Sequence, residues 1–271
     1  MARFGSRSGG ILNFGDFRGF TRDLVLWNLG AYFLLALLGL ASPHGYAVVF
    51  DALALTPGLF LHGWIWQIAT YPFLHAGILN TAFELLSLWF LGSFLENNHG
   101  SRWLMEIFAV SALGAGIAAI LMALALHAPV TVIGCWGAIF GLLIAFGVLY
   151  ADTEFMMFPL PMLIKAKYLV AVYVLIALAM LFSTDKVFAF SQLGGALFGY
   201  FYIRFAPRRG LTTAGSKQYF DWRNRYYRWK RKQAAKKFQV YMKKQNRDVN
   251  FDSEGRYVDP DKDPNDRSRW N

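Results

Sequence analysis

Residues 134–141 read GCWGAIFG, and this short segment decides how the rest of the sequence is interpreted. It opens an apolar stretch that continues to Tyr150. Gly137 and Gly141 are four residues apart, so in a helix they lie on one face, one turn apart. Small residues at this spacing let two helix backbones approach closely inside lipid, where packing replaces the hydrophobic drive between helices. The segment therefore indicates a closely packed membrane helix.

Two further segments carry patterns that exceed what composition alone produces. Residues 192–199 read QLGGALFG and repeat the four-residue spacing with Gly195 and Gly199. Residues 66–77 read WQIATYPFLHAG, and they are followed by LGSFLE at residues 91–96 and by Gly100. A GxxxG pair alone is a weak signal, so the order and spacing of all three segments carry the interpretation.

Six segments come near the roughly 20 apolar residues that a membrane span needs. They are residues 24–41, 76–95, 103–126, 132–150, 168–183 and 187–203. Prolines fall in the connections, as expected of residues that disrupt helix interiors. The sequence therefore predicts an all-α membrane protein with a short segment at 1–23, a membrane domain at 24–205 and a tail at 206–271.

Composition agrees with this prediction. Hydrophobic residues make up 56% of the 271 residues and charged residues only 16%, whereas soluble domains carry about a quarter charged residues. This excludes an ordinary water-soluble globule. The net charge of +10 comes from the tail, because residues 204–271 hold 19 Lys and Arg against 8 Asp and Glu. The preceding 203 residues hold 8 and 9.

The distribution of Lys and Arg beside the spans predicts the orientation, because cytoplasmic loops are enriched in these residues. Successive connections between spans lie on alternate sides of the membrane. Nearly all Lys and Arg lie in the connections on one side and in the two ends of the chain, whereas the connections on the other side carry only Lys186. Both termini are therefore expected in the cytoplasm, with a bacterial inner membrane as the expected location. The loop at residues 43–75 has no Lys or Arg and is expected to lie at the outer interface.

The tail divides into a basic helix and an acidic arm. Residues 216–247 contain 12 Lys and Arg against one Asp, and their aromatic residues recur at helical spacing. Residues 248–271 hold 4 basic and 7 acidic residues and are expected to be extended. Anionic membrane lipid or a cytoplasmic protein is the expected partner of the helix, and nucleic acid is not. The predicted contact residues are Tyr219, Trp222, Arg223, Tyr226, Arg228, Trp229, Lys230 and Arg231.

Taken together, the three segments resemble the rhomboid family of intramembrane serine proteases across residues 20–205. This resemblance implies a six-transmembrane-helix bundle with a partly embedded first loop, followed here by the basic cytoplasmic helical tail. It also implies that the fourth and sixth membrane helices pack closely through Gly137, Gly141, Gly195 and Gly199. In the family, that packing brings a catalytic Ser on the fourth helix to a His on the sixth.

By the same resemblance, this chain lacks the catalytic residues. Trp136 stands at the nucleophile position and Gln192 at the position of the base. Asn80 and Glu84 stand where a His and an Asn support the oxyanion, and Gln67 replaces the Arg of the first loop. Neither an indole nor a carboxamide attacks a carbonyl or takes up a proton near neutral pH.

The expected function is therefore that of a pseudoprotease without catalytic residues. Such a chain would bind transmembrane segments of other integral membrane proteins, either as a client-binding factor or as an accessory subunit of a membrane complex. Two details stay open. Trp136 either fills the space that a Ser would leave or donates its indole N–H to Gln192. Glu84 either pairs with Asn80 or another neighbour, or anchors a partner's helix.

Two other classes of protein compete with this interpretation. A protease with a relocated nucleophile at Ser111, Ser191 or Cys135 is the main alternative. The thiol would need a nearby base, and none of the predicted helix interiors carries a His. A transporter has little support, because beyond Glu84 and Glu106 the spans lack a polar relay.

No cofactor or metal ion is expected from the histidines. All five lie in loops or at span ends, which argues against axial ligation of a haem or chlorophyll within the bundle. A metal site formed by His44, His62 and His127 on the outer side is the alternative to ordinary interfacial histidines, and the latter are expected.

Overall fold

The computed structural model describes residues 18–157, 162–182, 185–205, 211–246, 249–252 and 256–258. The chain divides into two compact units, Met1–Gly210 and Leu211–Asn271. In the first unit the helices are α1 (Gly19–Ala41), α2 (Pro43–Leu53), α3 (Pro57–Leu61), α4 (Gln67–Thr70), α5 (Ile78–His99), α6 (Ser101–Leu126), α7 (Trp136–Leu149), α8 (Ala166–Met180) and α9 (Lys186–Phe205). A 3-10 turn at Tyr71–Phe73 precedes α5, and an antiparallel hairpin of β1 (Glu154–Met157) and β2 (Met162–Lys165) joins α7 to α8.

Each of the six predicted spans forms a helix. α1, α5 and α6 have 23, 22 and 26 residues and are long and apolar enough to cross a membrane, whereas α7 and α8 are apolar but shorter. α7 begins four residues later than predicted, because Gly134 has a φ of 91°, which a helix does not contain. The prediction of an all-α membrane bundle is confirmed.

Large apolar side chains cover the outside of the bundle. On α1, the exposed fractions of Leu34, Leu37 and Leu40 are 68%, 64% and 85%. A continuous apolar surface of this kind is unfavourable in water and is compatible with a lipid environment. The exposed residues of α1 therefore form a lipid-facing surface.

The centre of the bundle consists of α6, α7 and α9. A methyl group on Gly195 would overlap the carbonyl oxygen of Gly137, and one on Gly199 would lie 2.6 Å from the Cα of Gly141. The backbones of α7 and α9 are therefore in direct contact, with no side chain between them. Ser111 of α6 packs against Gly141 at the same level.

Glu96 of α5 holds the first turn of α1. Its carboxylate accepts hydrogen bonds from the backbone N–H groups of Phe20 at 2.6 Å and Thr21 at 2.8 Å, and from the hydroxyls of Thr21 and Ser101. The first N–H groups of a helix have no partner within it, and a carboxylate also complements the positive end of the helix dipole. This contact fixes α1 against α5.

The predicted interfacial loop is folded into α2, α3 and α4. Gln67 is fully buried beneath it. The Gln67 side chain accepts a hydrogen bond from the N–H of Thr56 at 3.2 Å and donates one to the carbonyl of Asp51 at 3.0 Å. Leu55 pairs with Val132 just before α7. The first loop is thus tied to the segment that leads into α7.

The second unit contains α10 (Leu211–Lys244) and two short antiparallel strands, β3 (Asn250–Phe251) and β4 (Tyr257–Val258). The ring of Phe251 packs edge-on against Phe238 of α10, with 6.2 Å between centroids. Gln239 also donates a hydrogen bond to the carbonyl of Val249 at 3.0 Å. The prediction of an extended arm after residue 248 is therefore wrong for its described part, because its aromatic residues fold back onto the helix. Residues 259–271 lie outside the described residues.

Replacing Gly195 with Ala tests the contact between α7 and α9. The added methyl group meets backbone rather than a flexible side chain, so we expect the free energy of unfolding to fall by about 1–3 kcal/mol. Thermal unfolding in mild detergent, followed by tryptophan fluorescence, measures this change. The matched control is Gly30→Ala in α1, where nothing lies within 4 Å of the new methyl group. Equal stability of the Gly195→Ala and Gly30→Ala variants would contradict direct backbone contact between α7 and α9.

Candidate functional site

Three of the four predicted degenerate catalytic positions, Asn80, Glu84 and Trp136, lie near the starts of α5 and α7. Asn80 donates a hydrogen bond to Oε1 of Glu84 at 2.9 Å, and its own Oδ1 accepts one from the indole N–H of Trp136 at 3.1 Å. Of the two alternatives for Trp136, the one in which its indole N–H pairs with Gln192 is therefore wrong, because the single indole donor is directed at Asn80 of α5. Gln192 lies buried on α9.

Glu84 is completely buried and faces the interior of the bundle. Its Oε2 accepts hydrogen bonds from the backbone N–H of Cys135 at 3.0 Å and from the thiol at 3.4 Å. A buried carboxylate is tolerated only when donors surround it. Because the side chain points inward, it is not available as an anchor for a partner's helix on the lipid face.

Gly134 makes the close approach of Glu84 possible. A Cβ at this position would lie 2.7 Å from Glu84 Oε1. The φ of 91° is also one that L-residues rarely adopt. Gly134 is therefore required for two reasons. The backbone has a positive φ at this position, and the carboxylate of Glu84 leaves no room for a side chain.

Two further residues complete the cluster, and the sequence analysis did not assign either of them to it. Nδ1 of His75 lies 2.8 Å from Glu84 Oε2, without the alignment of a regular hydrogen bond. On the other side of the ring, Nε2 lies 2.8 Å from Oδ1 of Asn28. The amide nitrogen of Asn28 donates to the carbonyl of Leu24 at 2.7 Å. The polar cluster therefore runs from α1 through His75 to α5 and α7.

The expectation that no histidine lies near Cys135 is wrong. The nitrogen, oxygen and sulfur atoms that His75, Glu84 and Cys135 offer all lie within 4.8 Å of one another. His75 precedes α5 and Cys135 precedes α7, so their contact between helix ends is not visible in the composition of the helix interiors. Asn28 was detectable, because an amide within an apolar span indicates a polar partner.

The other candidates lie elsewhere. Ser111 and Ser191 are buried where α6, α7 and α9 pack, and each hydroxyl lies close to a glycine of α7. The outer histidines, His44, His62 and His127, are exposed. Within the described part of the chain, the cluster of His75, Glu84 and Cys135 is the group of potential metal ligands that the fold brings together.

The predicted contact residues of the tail belong to α10. The described ones are exposed, namely Arg223, Tyr226, Arg228, Trp229, Lys230 and Arg231. The rings of Tyr226 and Trp229 lie 6.2 Å apart. The side chains of Tyr219 and Trp222 lie outside the described residues.

A mostly apolar groove lies beside the indole of Trp136, between α5, α7 and α8. We call it the lateral groove, and its lining residues are Ser87, Phe90, Leu91, Trp136, Ile139, Phe140, Leu143, Leu169 and Tyr173. Trp136 therefore takes part in both the polar cluster and the groove. The indole ring faces the groove while its N–H is held by Asn80.

Comparisons with known proteins agree with the fold. A family model described as eukaryotic integral membrane protein, DUF1751, matches residues 27–240. The chain is also similar to the rhomboid protease GluP of Bacillus subtilis, with 29% identity over 198 residues that make up 73% of this chain. The same residues cover 36% of GluP, so the chain spans about a third of that protein. These matches confirm the resemblance to the rhomboid family.

Replacing Glu84 with Met tests whether the carboxylate organises the cluster. The variant keeps a similar volume but leaves the amide of Asn80 and the N–H of Cys135 without their acceptor, so we expect a loss of about 3–5 kcal/mol in unfolding free energy. Unfolding in mild detergent provides the measurement. Glu154→Met on the exposed hairpin serves as the control and should change stability by less than about 0.5 kcal/mol. A Glu84 variant as stable as this control would refute the role.

Proposed function

The chain belongs to the DUF1751 family of eukaryotic integral membrane proteins, and we propose that it binds transmembrane segments of other proteins without cleaving them. The observation that carries the proposal is the placement of Trp136. This residue stands at the position of the rhomboid nucleophile, lines the lateral groove and is held by Asn80. A large, fixed aromatic side chain in that place supports binding rather than chemistry.

The groups present around Trp136 support the proposed loss of proteolysis. An indole does not form an acyl-enzyme, and the carboxamide of Gln192 does not act as a base. The position that would support an oxyanion holds Glu84, whose side chain, when ionised, would repel the developing charge of a tetrahedral intermediate. The proposal thus rests on the chemistry of three side chains together.

A relocated cysteine nucleophile is the alternative with some structural support, because His75 lies beside Cys135. The thiol, however, is directed at the carboxylate of Glu84 and is fully buried. A carboxylate beside a thiol disfavours the thiolate when no cation is present. This arrangement supports a structural or ligand role for the sulfur over a catalytic one.

The lateral groove has the composition that a membrane-spanning partner would need. Its aromatic and aliphatic lining can pack against an apolar helix, while the hydroxyls of Ser87 and Tyr173 offer hydrogen bonds to a polar residue. A partner held there could be a transient client or a fixed subunit. Recovery of the protein alone from native membranes in mild detergent favours the client, and stoichiometric co-purification favours the subunit.

We further propose that both ends of the chain lie on the cytoplasmic side of the membrane. The proposal rests on the excess of Lys and Arg in the tail and before α1. The family is described as eukaryotic and GluP is bacterial, so the bacterial inner membrane stays a prediction. Cysteine accessibility to a membrane-impermeant reagent, with a new cysteine in α10, tests the orientation.

Photo-crosslinking tests the groove. A photo-reactive amino acid at Ser87 or Leu169, which line the groove, should capture a membrane protein in native membranes. The matched control is Leu121 of α6, an exposed apolar residue on the outside of the bundle. We expect capture at the groove positions only, with the partner at full length. Equal capture at Leu121, or a partner fragment whose release needs Cys135 or a serine, would overturn the proposal.

The exposed cations of α10 support binding to an anionic membrane surface. Each Lys or Arg near anionic lipid contributes roughly 1 kcal/mol, and the aromatic rings of Tyr226 and Trp229 suit the headgroup region. In nanodiscs of the full chain, amide hydrogen exchange over residues 223–244 should be slowed by anionic lipid and not by zwitterionic lipid. The replacement of Lys230 and Arg231 by Glu should reduce this protection, as should high salt. Protection that is independent of lipid charge would contradict binding to an anionic membrane surface.

A further inference from the structure

We propose that His75, Glu84 and Cys135 bind one divalent transition metal ion, with zinc as the best match to their donor atoms. The three side chains are buried and meet where the segment before α5 contacts the start of α7. This site is independent of the proposed partner binding, so either proposal can fail without the other.

The hydrogen bonds around His75 determine which ring nitrogen carries the proton. The amide nitrogen of Asn28 donates to the carbonyl of Leu24, so Oδ1 is the atom that faces the ring. An amide oxygen only accepts hydrogen bonds, and Nε2 must therefore donate. In a neutral imidazole the lone pair then lies on Nδ1, directed toward Glu84.

A lone pair and a carboxylate oxygen at 2.8 Å repel each other unless a positive charge lies between them or a proton is added. An imidazolium would resolve this by aligning its N–H with the oxygen. At Nδ1 the geometry is that of a close ion pair rather than of a linear hydrogen bond. A cation that accepts both lone pairs is the alternative, and on a tetrahedral ion with bonds of about 2.0–2.2 Å the nitrogen and the oxygen would move apart to about 3.3 Å.

The third donor identifies the class of cation. The sulfur of Cys135 lies 3.4 Å from the same carboxylate oxygen, a separation close to that of a sulfur and an oxygen on one tetrahedral ion with bonds of about 2.3 Å and 2.0–2.2 Å. A nitrogen, an oxygen and a sulfur ligand are typical of zinc and neighbouring transition metals, whereas calcium and magnesium prefer oxygen alone.

The charges and the surrounding contacts also fit a divalent ion. Binding would release the thiol proton to solvent, so a thiolate and a carboxylate would neutralise the metal with a neutral imidazole as the third ligand. This leaves no net charge in a buried site. Asn28 supplies the hydrogen bond to the far side of the imidazole that metal-bound histidines normally make.

The test is metal binding by the full chain in mild detergent. After exposure to Zn²⁺ and dialysis, mass spectrometry of the metal should find about one ion per chain. Titration with Co²⁺ should produce a thiolate-to-cobalt charge-transfer band, and this band can only come from Cys135 because the chain has a single cysteine. Cys135→Ala should abolish the band, and Glu84→Gln should weaken binding by about 100-fold. Asn28→Leu should weaken it by about 10–100-fold, as for other contacts that orient a ligand.

The matched control is Glu106→Gln, which alters another buried carboxylate, the one that accepts a hydrogen bond from Tyr202. This variant should bind metal as the unmodified chain does. Monodisperse elution and an unchanged thermal unfolding curve without metal establish that Cys135→Ala is folded, since Ala replaces Cys with a small side chain. Absence of bound Zn²⁺ and of the cobalt band in the unmodified chain would overturn the proposal. Equal metal content in Cys135→Ala would do so as well, because it would place the ion elsewhere.

Discussion

The buried carboxylate of Glu84 is the constraint on which this end of the bundle depends. Its two oxygens accept hydrogen bonds from α5 itself and from the turn before α7, and the ring of His75, from the segment before α5, lies against them. A carboxylate in the interior of a membrane protein is costly unless every lone pair is used. The positions of His75, Asn80 and Cys135 are therefore coupled, and α1 joins them through Asn28. A change at any of these residues leaves a buried polar group without its partner.

A different kind of constraint holds the other side of the bundle together. There α7 and α9 meet backbone to backbone at Gly137 and Gly195, and no polar group is needed. Close packing and the polar cluster share one short segment, because Gly134 and Cys135 belong to the cluster while Gly137 and Gly141 belong to the helix contact. The eight residues from 134 to 141 thus connect both halves of the membrane domain. This explains why so short a stretch is informative about the fold.

Periodicity and composition were sufficient to predict the long helices but not the short helices α2, α3 and α4 of the first loop, because a membrane span has a long and simple signal. The six spans and the basic helix after them follow from apolar length and from the spacing of aromatic residues. Contacts among loop residues could not be predicted in the same way. His75 and Cys135 are 60 positions apart and lie outside helix interiors, so no local pattern links them. The correct partner of Trp136 depended on the rotation of α5 relative to α7, which the sequence does not encode locally. The fold of the arm depended on Phe251 finding Phe238, which is equally non-local.

The shortness of α8 has a consequence for the surrounding lipid. At 1.5 Å per residue, its 15 residues extend over about 22 Å, against roughly 30 Å for the hydrocarbon core of a bilayer. Its outer face carries Val172, Leu175 and Ile176, all more than half exposed. A helix this short is accommodated by thinning of the bilayer, by snorkelling of flanking residues or by packing against other helices, each at a cost of a fraction of a kcal/mol per Å. Where thinning is the response, the bilayer is thinned on the side where α8 borders the lateral groove. For a neighbouring helix that is short or contains a polar residue, the free energy of residing there is lower than in undisturbed membrane.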